Sequence, residues 1–386
     1  MNKDLLHDNE IDINDLMEII NDDDVVIIDI RSEVERSFGI IPNSIHVDQD
    51  KLINEPLADS TKNYIIYCSR GQKSKEITTE LQNNGHNNYY SLKGGYSSYI
   101  VYLMKNKTKA NDDSLKNKVE KSIQTTYRTS IMSQFLKAIK EYKLISENDK
   151  IAVCISGGKD SFLMTMLFKE LKKWSKINFD VEYICMDPGY NEINRKLIES
   201  NAKSLDIPIK IFKSEIFDIV YNEDKSPCYL CARMRRGHLY SYAKELGCNK
   251  IALAHHYDDV IETILMGMLY GGQIQSMLPR LKSTNFEDME LIRPLYLVRE
   301  SDIINWRDYN DLHFLQCACK FTDTCTSCVN NETKSKRQET KQIIKKLKEK
   351  NPYIESNIFR SAENAQVDTL LSYKLKGVKH SFLENF

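Results

Sequence analysis

Segments with the apolar character of buried strands alternate with segments of helical periodicity between residues 122 and 330. The predicted strands are 150–155, 181–186, 209–214 and 250–254, and the predicted helices are 161–173, 192–205, 231–246 and 258–270. Strands that alternate with helices of this length indicate βαβ units, which form an α/β fold with a parallel sheet. In such a fold, ligands bind at the carboxyl ends of the strands.

The turn after the first of these strands reads Ser-Gly-Gly-Lys-Asp-Ser at residues 156–161. Gly157 and Gly158 let backbone amides approach an anion, and the following helix points the positive end of its dipole at the same place. The two serines can donate hydroxyl groups, and Lys159 adds a compact positive charge. The spacing differs from that of P-loop NTPases. The segment therefore predicts a phosphate site of another class, with a serine-capped strand–helix joint as the alternative.

Two further polar clusters follow predicted strands of this sheet. Asp187 ends the second strand, and a His-His-x-Asp-Asp segment containing His255, Asp258 and Asp259 follows the fourth. Because the carboxyl ends of parallel strands meet at one edge, we expect these clusters beside the glycine turn. The two aspartates could hold Mg²⁺ through one or two carboxylates. The histidines could equally be polar caps.

The turn at 156–161 resembles the PP-loop of the ATP pyrophosphatase superfamily, whose members cleave ATP to AMP and pyrophosphate and adenylate a carbonyl oxygen. The resemblance implies ATP contacts from Ser156, Gly157, Gly158, Lys159, Asp160, Ser161, Asp187, His255 and Asp259. It assigns catalytic roles to Lys159 and Asp160, and Asp258 is a candidate ligand of Mg²⁺.

An isolated cysteine, Cys68, follows a predicted strand at 64–67 and begins the loop Cys-Ser-Arg-Gly-Gln-Lys-Ser. Arg70, Lys73 and the N-terminus of the next helix would favour its thiolate. The loop, together with Asp29-Ile-Arg31 and Leu92-Lys-Gly-Gly95, resembles the rhodanese domain. That resemblance implies that Cys68 carries a persulfide in an N-terminal α/β domain.

Two observations bear on the role of this domain. The family usually has histidine where Ile40 stands, but that position does not carry sulfur. Cell-cycle phosphatases have a similar loop that is one residue longer, so the step from Cys68 to Ser74 favours sulfur over phosphate. A rhodanese-like fold used only for docking is the remaining alternative.

Six of the ten cysteines form close pairs: Cys228/Cys231, Cys317/Cys319 and Cys325/Cys328. Close pairs in a reducing compartment indicate metal or redox chemistry. Cys228 and Cys231 are spaced i, i+3 at the start of a predicted helix, so they can share one metal centre. Arg233, Arg235 and Arg236 follow at once, and they suit either the phosphates of an RNA or a solvated helix face.

The PP-loop, the Cys-x-x-Cys-x-x-x-Arg-Arg-Gly segment and the His-His-x-Asp-Asp segment together are similar to the tRNA 2-thiocytidine synthetase family, over residues from about 115 to 380. The resemblance implies thiolation of cytidine 32 of tRNA. It also implies ATP, Mg²⁺ and a 4Fe–4S cluster held by three cysteines.

The third cluster ligand is ambiguous. By the family's spacing Cys319 fits best, with Cys317 in reserve. The chain departs from the family at Cys325 and Cys328, which add a second Cys-x-x-Cys. Joined with the first Cys-x-x-Cys, they could form a closed Cys₄ zinc site of structural use. Three thiolates would instead leave one iron open to a sulfide.

The composition sets the remaining expectations. The net charge of −1 predicts a local basic patch rather than a global field for any polyanion. The first twenty residues lack the features of a signal peptide, and no apolar run approaches the roughly 18 residues of a membrane span. We therefore expect a cytoplasmic protein without membrane contact.

The chain of 386 residues divides into four predicted segments: a rhodanese-like domain at 1–104, a linker at 105–121, a PP-loop domain with the cluster cysteines at 122–330, and a basic helical tail at 331–386. The lysine-rich linker could equally be the polar face of an entry helix. The tail predicts either tRNA contact or a solvated basic face.

These predictions combine into an ATP-dependent tRNA thiolase that adenylates a base, which the resemblance implies is cytidine 32, and inserts sulfur at C2. Sulfur would reach the cluster from Cys68, which a cysteine desulfurase or thiosulfate would load. The alternatives are a 2-thiouridine or 4-thiouridine thiolase, and a non-catalytic redox or sulfide sensor with a structural zinc site. A homodimer is compatible with the sequence.

Overall fold

The computed structural model describes residues 6–7, 9–36, 39–57, 59–107, 112–190, 192–214, 227–314 and 336–385. Within these residues the strands form two six-stranded sheets, each flanked by helices, and a separate two-stranded sheet near the C-terminus. The α/β class predicted from the sequence is confirmed.

The N-terminal sheet has the strand order β1-β2-β6-β5-β3-β4 and is parallel except for the edge strand β1. Its strands are β1 Leu6–His7, β2 Glu10–Ile11, β3 Val25–Asp29, β4 Ile45–His46, β5 Asn63–Tyr67 and β6 Tyr89–Leu92. Its helices are α1 Ile13–Ile19, α2 Glu33–Arg36, α3 Gln49–Asn54, α4 Gln72–Asn83 and α5 Gly95–Lys107. Cys68 directly follows β5, an inner strand of this sheet.

The second sheet has the order β11-β12-β10-β7-β8-β9, and only β11 runs antiparallel to its neighbour. Its strands are β7 Asp149–Cys154, β8 Phe179–Asp187, β9 Ile209–Lys213, β10 Lys250–Ala252, β11 Arg280–Lys282 and β12 Glu290–Ile292. Strands β8 and β9 lie on one side of β7, and the chain then crosses over so that β10 lies on the other side. The β7–β10 boundary is therefore the topological switch point, where ligands of such sheets bind.

The helices of this domain are α6 Asp112–Gln124, α7 Ser133–Glu141, α8 Lys159–Trp174, α9 Glu192–Ser204, α10 Pro227–Glu245, α11 Tyr257–Gly271 and α12 Glu300–Tyr309, and a π-helical turn covers Arg128–Met132. Ile151 and Val153 of β7 belong to one apolar core, while Ala152 and Cys154 belong to another. This central strand is thus buried on both faces, as parallel strands usually are.

The described residues of the segment predicted as a linker, 105–121, are helical, because they belong to the end of α5 and to α6. Val119 and Ile123 of α6 are fully buried in the core of the second domain. Lys116, one of its lysines, forms an ion pair of 2.7 Å with Asp206. Residues 112–121 thus have the form that the entry-helix alternative describes, and the division of the chain at 105–121 stays a prediction.

The C-terminal segment contains α13 Lys336–Lys350, α14 Ile354–Ser361, a 3₁₀ turn at Val367–Thr369, β13 Ser372–Leu375, β14 Val378–Ser381 and a second 3₁₀ turn at Phe382–Asn385. Ile344 and Phe359 are buried in the core of the second domain, and the Phe359 ring stacks on Tyr257 with centroids 4.5 Å apart. The prediction of a helical tail is therefore wrong for residues 372–381, which form a β-hairpin.

Leu197 of α9 is 3% exposed because it packs into the apolar cluster of the N-terminal domain.

No helix in the described ranges is both long enough and apolar enough to cross a bilayer.

Candidate functional site

The glycine turn between β7 and α8 folds around one hydroxyl group. Ser161 Oγ lies 3.1 Å from the backbone nitrogen of Ser156 and donates to the carbonyl oxygen of Gly158 at 2.9 Å. Gly157 has a φ of 90°, a conformation that L side chains rarely adopt. No described side chain caps the N-terminus of α8. Its first amides therefore remain available to an anion, which fits the phosphates of a nucleotide.

Lys159, the first residue of α8, lies between two carboxylates. Its Nζ is 3.2 Å from Asp160 Oδ1 and 3.2 Å from Glu300 Oε1. Glu300 in turn contacts Lys341 Nζ of α13 at 2.6 Å. Burial acts to raise the pKa of Glu300, but the two lysines outweigh it and bring that pKa to about 2. The glutamate therefore remains ionised and holds both lysines at the turn.

Glu300 was not among the site residues predicted from the sequence. It stands at the start of α12, in the segment that follows β12. A three-residue strand is too short to predict from apolar periodicity, so this strand end was not recognised as part of the edge. Glu300 could have been found only as an acidic residue at a predicted helix start.

Asp258 and Asp259, the predicted magnesium and ATP contacts, begin α11 at the same edge. Asp258 Oδ1 lies 2.9 Å from Arg299 Nη2, and its Oδ2 accepts the backbone N–H of Glu300 at 2.7 Å. Asp259 contacts Arg337 of α13 at 2.7 Å. Both carboxylates thus have arginine partners here. Their roles toward Mg²⁺ and ATP stay predictions, and the described residues contain no group of three or more metal-binding side chains.

The two histidines differ in role. His256 is the N-cap of α11, since its ring accepts from the Asp259 amide and the Asp259 side chain accepts from the His256 amide. The cap alternative therefore describes His256. His255 is mostly buried, and burial, with the charge of Arg293 as the next cause, lowers its pKa to about 4. Its ring is neutral near pH 7.

Two buried polar atoms at this edge have no hydrogen-bond partner among the described residues: His255 Nδ1 and Arg293 Nε. Buried polar atoms in proteins are almost always paired, with protein, water or ligand. Two such atoms at the edge that holds an uncapped helix N-terminus fit a polar ligand with several acceptors and donors, as a nucleotide has.

Asp187, at the end of β8, organises the next turn. Its Oδ1 accepts the amides of Gly189 at 2.9 Å and Tyr190 at 2.7 Å, and its Oδ2 lies 3.5 Å from Arg195. Its predicted contact with ATP stays a prediction.

Cys68 lies in a cradle of backbone and hydroxyl donors. The amides of Gly71 and Ser74 lie 3.1 and 3.4 Å from Sγ, and Ser74 Oγ lies 3.5 Å away. A Cβ on Gly95 would come within 2.3 Å of the Cys68 carbonyl oxygen, so the loop closes only over a glycine. Amides directed at sulfur stabilise a negative charge there, on a thiolate or a persulfide.

The Asp29–Arg31 pair supports this cradle from the neighbouring strand. The two side chains are fully buried and lie 2.8 Å apart. Asp29 also accepts the Tyr67 hydroxyl at 2.6 Å, and the Arg31 guanidinium stacks over the Tyr96 ring at 3.9 Å. Because Tyr67 directly precedes Cys68, this network fixes the end of β5.

The predicted cluster ligands lie mostly outside the described residues. Cys228 and Cys231 are in the first turns of α10, but their side chains are not described, nor is that of Arg233. Cys317, Cys319, Cys325 and Cys328 lie outside the described residues entirely. Arg235 is half-buried and Arg236 is exposed. Burial, together with the charge of Arg236, lowers the pKa of Arg293 to about 10, so this part of α10 lies near the end of β12.

Cys154, Cys185 and Cys248 are buried in the core. Burial raises the pKa of the Cys185 thiol to about 12 and that of Cys248 to about 11. These thiols are protonated and chemically quiet at neutral pH.

Comparison with known proteins agrees with this architecture. Residues 127–321 match the PP-loop domain family, and residues 12–101 match the rhodanese-like domain family. The tRNA-cytidine(32) 2-sulfurtransferase of Paraburkholderia xenovorans is 35% identical over 245 residues, which are 62% of this chain and 69% of the relative. That of Geotalea uraniireducens is 32% identical over 64% of this chain and 96% of the relative. The U34-tRNA thiolase of Methanococcus maripaludis, solved with its 4Fe–4S cluster, aligns with 60% of this chain and 76% of that chain at 23% identity and a TM-score of 0.48.

The fold and the site thus define a PP-loop protein with an N-terminal rhodanese-like domain. Because several relatives above 30% identity are matched over more than two thirds of their length, the chain belongs to the tRNA-cytidine(32) 2-sulfurtransferase family of sulfurtransferases.

Proposed function

We propose that this protein uses ATP to thiolate cytidine 32 of tRNA at C2, with sulfur relayed by its own rhodanese-like domain. The observation that carries the proposal is the uncapped glycine turn at the switch point, with Lys159 held in it by Glu300. Membership of the family supplies the substrate class. Cys68 in its amide cradle supplies a sulfur carrier on the same chain.

The ATP step follows from the charges at the turn. The amides of α8 and Lys159 would hold the phosphates and stabilise the pyrophosphate that leaves. The C2 oxygen of the base would bond to the α-phosphorus as the bond to pyrophosphate breaks. Sulfide would then bond to C2, and the C2–O bond would break to release AMP. Asp258 or Asp259, released from its arginine partner, would hold Mg²⁺, which would supply positive charge to the phosphates.

The sulfur step uses Cys68. Its thiolate would take the outer sulfur of thiosulfate, which releases sulfite, or the equivalent sulfur of a desulfurase persulfide. A thiol reductant would then free that sulfur as sulfide and restore the thiolate. Placing the donor on the same chain raises its effective concentration at the base.

Cys228, Cys231 and Cys319 would hold a 4Fe–4S cluster. The i, i+3 placement of the first two on α10 suits a shared centre, and three thiolates are the donor set that leaves one iron open. When bound, such a cluster offers an iron to sulfide. Arg235 and Arg236 follow on the same helix and would contact the tRNA backbone near it.

The test is anaerobic reconstitution with iron and sulfide, followed by thiolation of tRNA and nucleoside mass spectrometry. We expect 2-thiocytidine, AMP and pyrophosphate in equal amounts. Appearance of 2-thiouridine or 4-thiouridine instead would replace the target base. Absence of ATP turnover with tRNA and sulfide, in protein that carries zinc, would favour the sensor.

A further inference from the structure

The C-terminal hairpin, formed by β13 and β14, is a two-stranded sheet of its own. Its two-residue turn has positive φ at both positions, 50° at Lys376 and 83° at Gly377, which is the geometry of tight hairpin turns. Asparagine, aspartate or glycine usually occupies the first of these positions. A lysine there places a charge at the tip at some conformational cost.

The register of the hairpin brings like charges together. Lys374 pairs directly across the strands with Lys379, so both side chains lie on one face. Like charges opposite each other destabilise a strand pair. Segment 372–381 contains three lysines and no acidic residue, and all three lysines are exposed. The ion pair described in this region joins His380 to Glu384 on the other face, and none is described for Lys374, Lys376 or Lys379.

An isolated two-stranded hairpin is at best marginally stable in water. An anionic partner would remove the repulsion between Lys374 and Lys379 and add favourable contacts to a sheet that has few. A second copy of this chain seated on the same face would instead bring two sets of lysines together. Charge complementarity therefore favours a polyanion over self-association for the lysine face.

We propose that the C-terminal hairpin binds the phosphate backbone of tRNA through Lys374, Lys376 and Lys379. This inference rests on the proposed function, which supplies the polyanion. It assigns a tRNA-docking element to a segment outside the nucleotide site and outside the basic helix α13. On α13, Arg337, Lys341 and Lys348 already have acidic partners.

The test compares two charge-matched variants of the full-length protein. The first replaces the three hairpin lysines with glutamine, and the control replaces Lys137, Lys140 and Lys143, exposed lysines of and just after α7, in the same way. Affinity for tRNA is measured between about 50 and 200 mM salt. We expect the hairpin variant to reduce the slope of log Kd against log salt by about 2, because each lost phosphate contact lowers the slope by about 0.7–0.9. The control variant should leave the slope unchanged.

Three results would overturn the inference. They are an unchanged slope in the hairpin variant, an equal reduction in the control, and failure of arginine at the three positions to restore binding. A further variant, Leu375→Ser with Val378→Ser, tests the opposite face. If it alters oligomeric state in centrifugation while the lysine variant leaves the tRNA slope unchanged, the hairpin joins copies of the chain instead. Failure of the unaltered protein to thiolate tRNA would reject the proposed function, whereas normal thiolation with an unchanged slope would reject only the hairpin.

Discussion

Lys159 Nζ lies 3.2 Å from Glu300 Oε1, although 141 residues separate the two in the chain. Glu300 also binds Lys341, so one carboxylate gathers a lysine of the glycine turn and a lysine of the C-terminal helix. The proposed nucleotide site is therefore assembled from three distant segments.

Lys159→Ala should slow adenylation by about 10²-fold or more, the scale of one lost electrostatic stabiliser of the leaving group. The measurement is AMP and pyrophosphate formation in the presence of tRNA. ADP and phosphate as the main products of the unaltered protein would contradict the assignment of a PP-loop mechanism.

Lys341→Met should raise the KM for ATP by about tenfold, roughly 1.4 kcal/mol. The negative charge of Glu300 is divided between Lys341 and Lys159, and without Lys341 it would act on Lys159 alone. Lys345→Met on the same helix is the matched control, since that lysine is exposed and no ion pair is described for it. Lys341→Arg should restore the KM. Equal effects of the two methionine variants would show that Lys341 does not position the turn.

Cys68→Ala should abolish thiolation with thiosulfate or a persulfide donor and leave thiolation with free sulfide largely intact. The cradle around Sγ has no function without the sulfur, whereas sulfide bypasses it. Activity is measured with each donor in parallel. A variant equally active with every donor would refute the relay.

Replacing Cys228, Cys231 or Cys319 by Ala should bleach an iron–sulfur absorbance and stop thiolation without unfolding the domain, while Cys325→Ala and Cys328→Ala should do neither. The closed zinc site predicts about one zinc and no iron, with Cys325 and Cys328 as critical as Cys228 and Cys231. Metal analysis of these five variants and the unaltered protein decides between the two. A severe Cys317→Ala effect with a mild Cys319→Ala effect would change the ligand and not the chemistry.

Glu262→Gln should change how stability depends on pH. Glu262 is buried beside Arg337 and Lys341, and burial raises its pKa from 4.5 to about 7. The folded state therefore binds a proton that the unfolded state has lost, and stability should fall as pH rises from about 4.5 through 7. The glutamine variant should lose less stability between pH 5 and pH 8, by roughly 1–3 kcal/mol in urea denaturation. Glu349→Gln, at an exposed position of α13, is the control and should follow the unaltered protein.

The elements that were predicted correctly from the sequence are those whose conformation has a local cause. The alternation of apolar strands and helices predicted the parallel sheet, and most of the predicted strands and helices lie within a few residues of their observed bounds. The glycine turn and the Cys68 loop were also recognisable, because each is one continuous segment whose residue types are dictated by backbone conformation. The hairpin at 372–381 was missed, since its two strands lack a strong alternating apolar pattern.

Only the tertiary structure decided which charges meet. Arg299, Glu300, Arg337 and Lys341 carried no local signal of their roles, and the basic helix α13 was expected to face solvent or RNA. Strand order placed β12 beside β10 and so brought Glu300 to Lys159, and packing of Ile344 and Phe359 brought α13 to the acidic end of α11. Local sequence determines backbone conformation through sterics and hydrogen bonding. Ion pairs between distant segments depend on which apolar faces bury against each other, and that is a property of the whole chain.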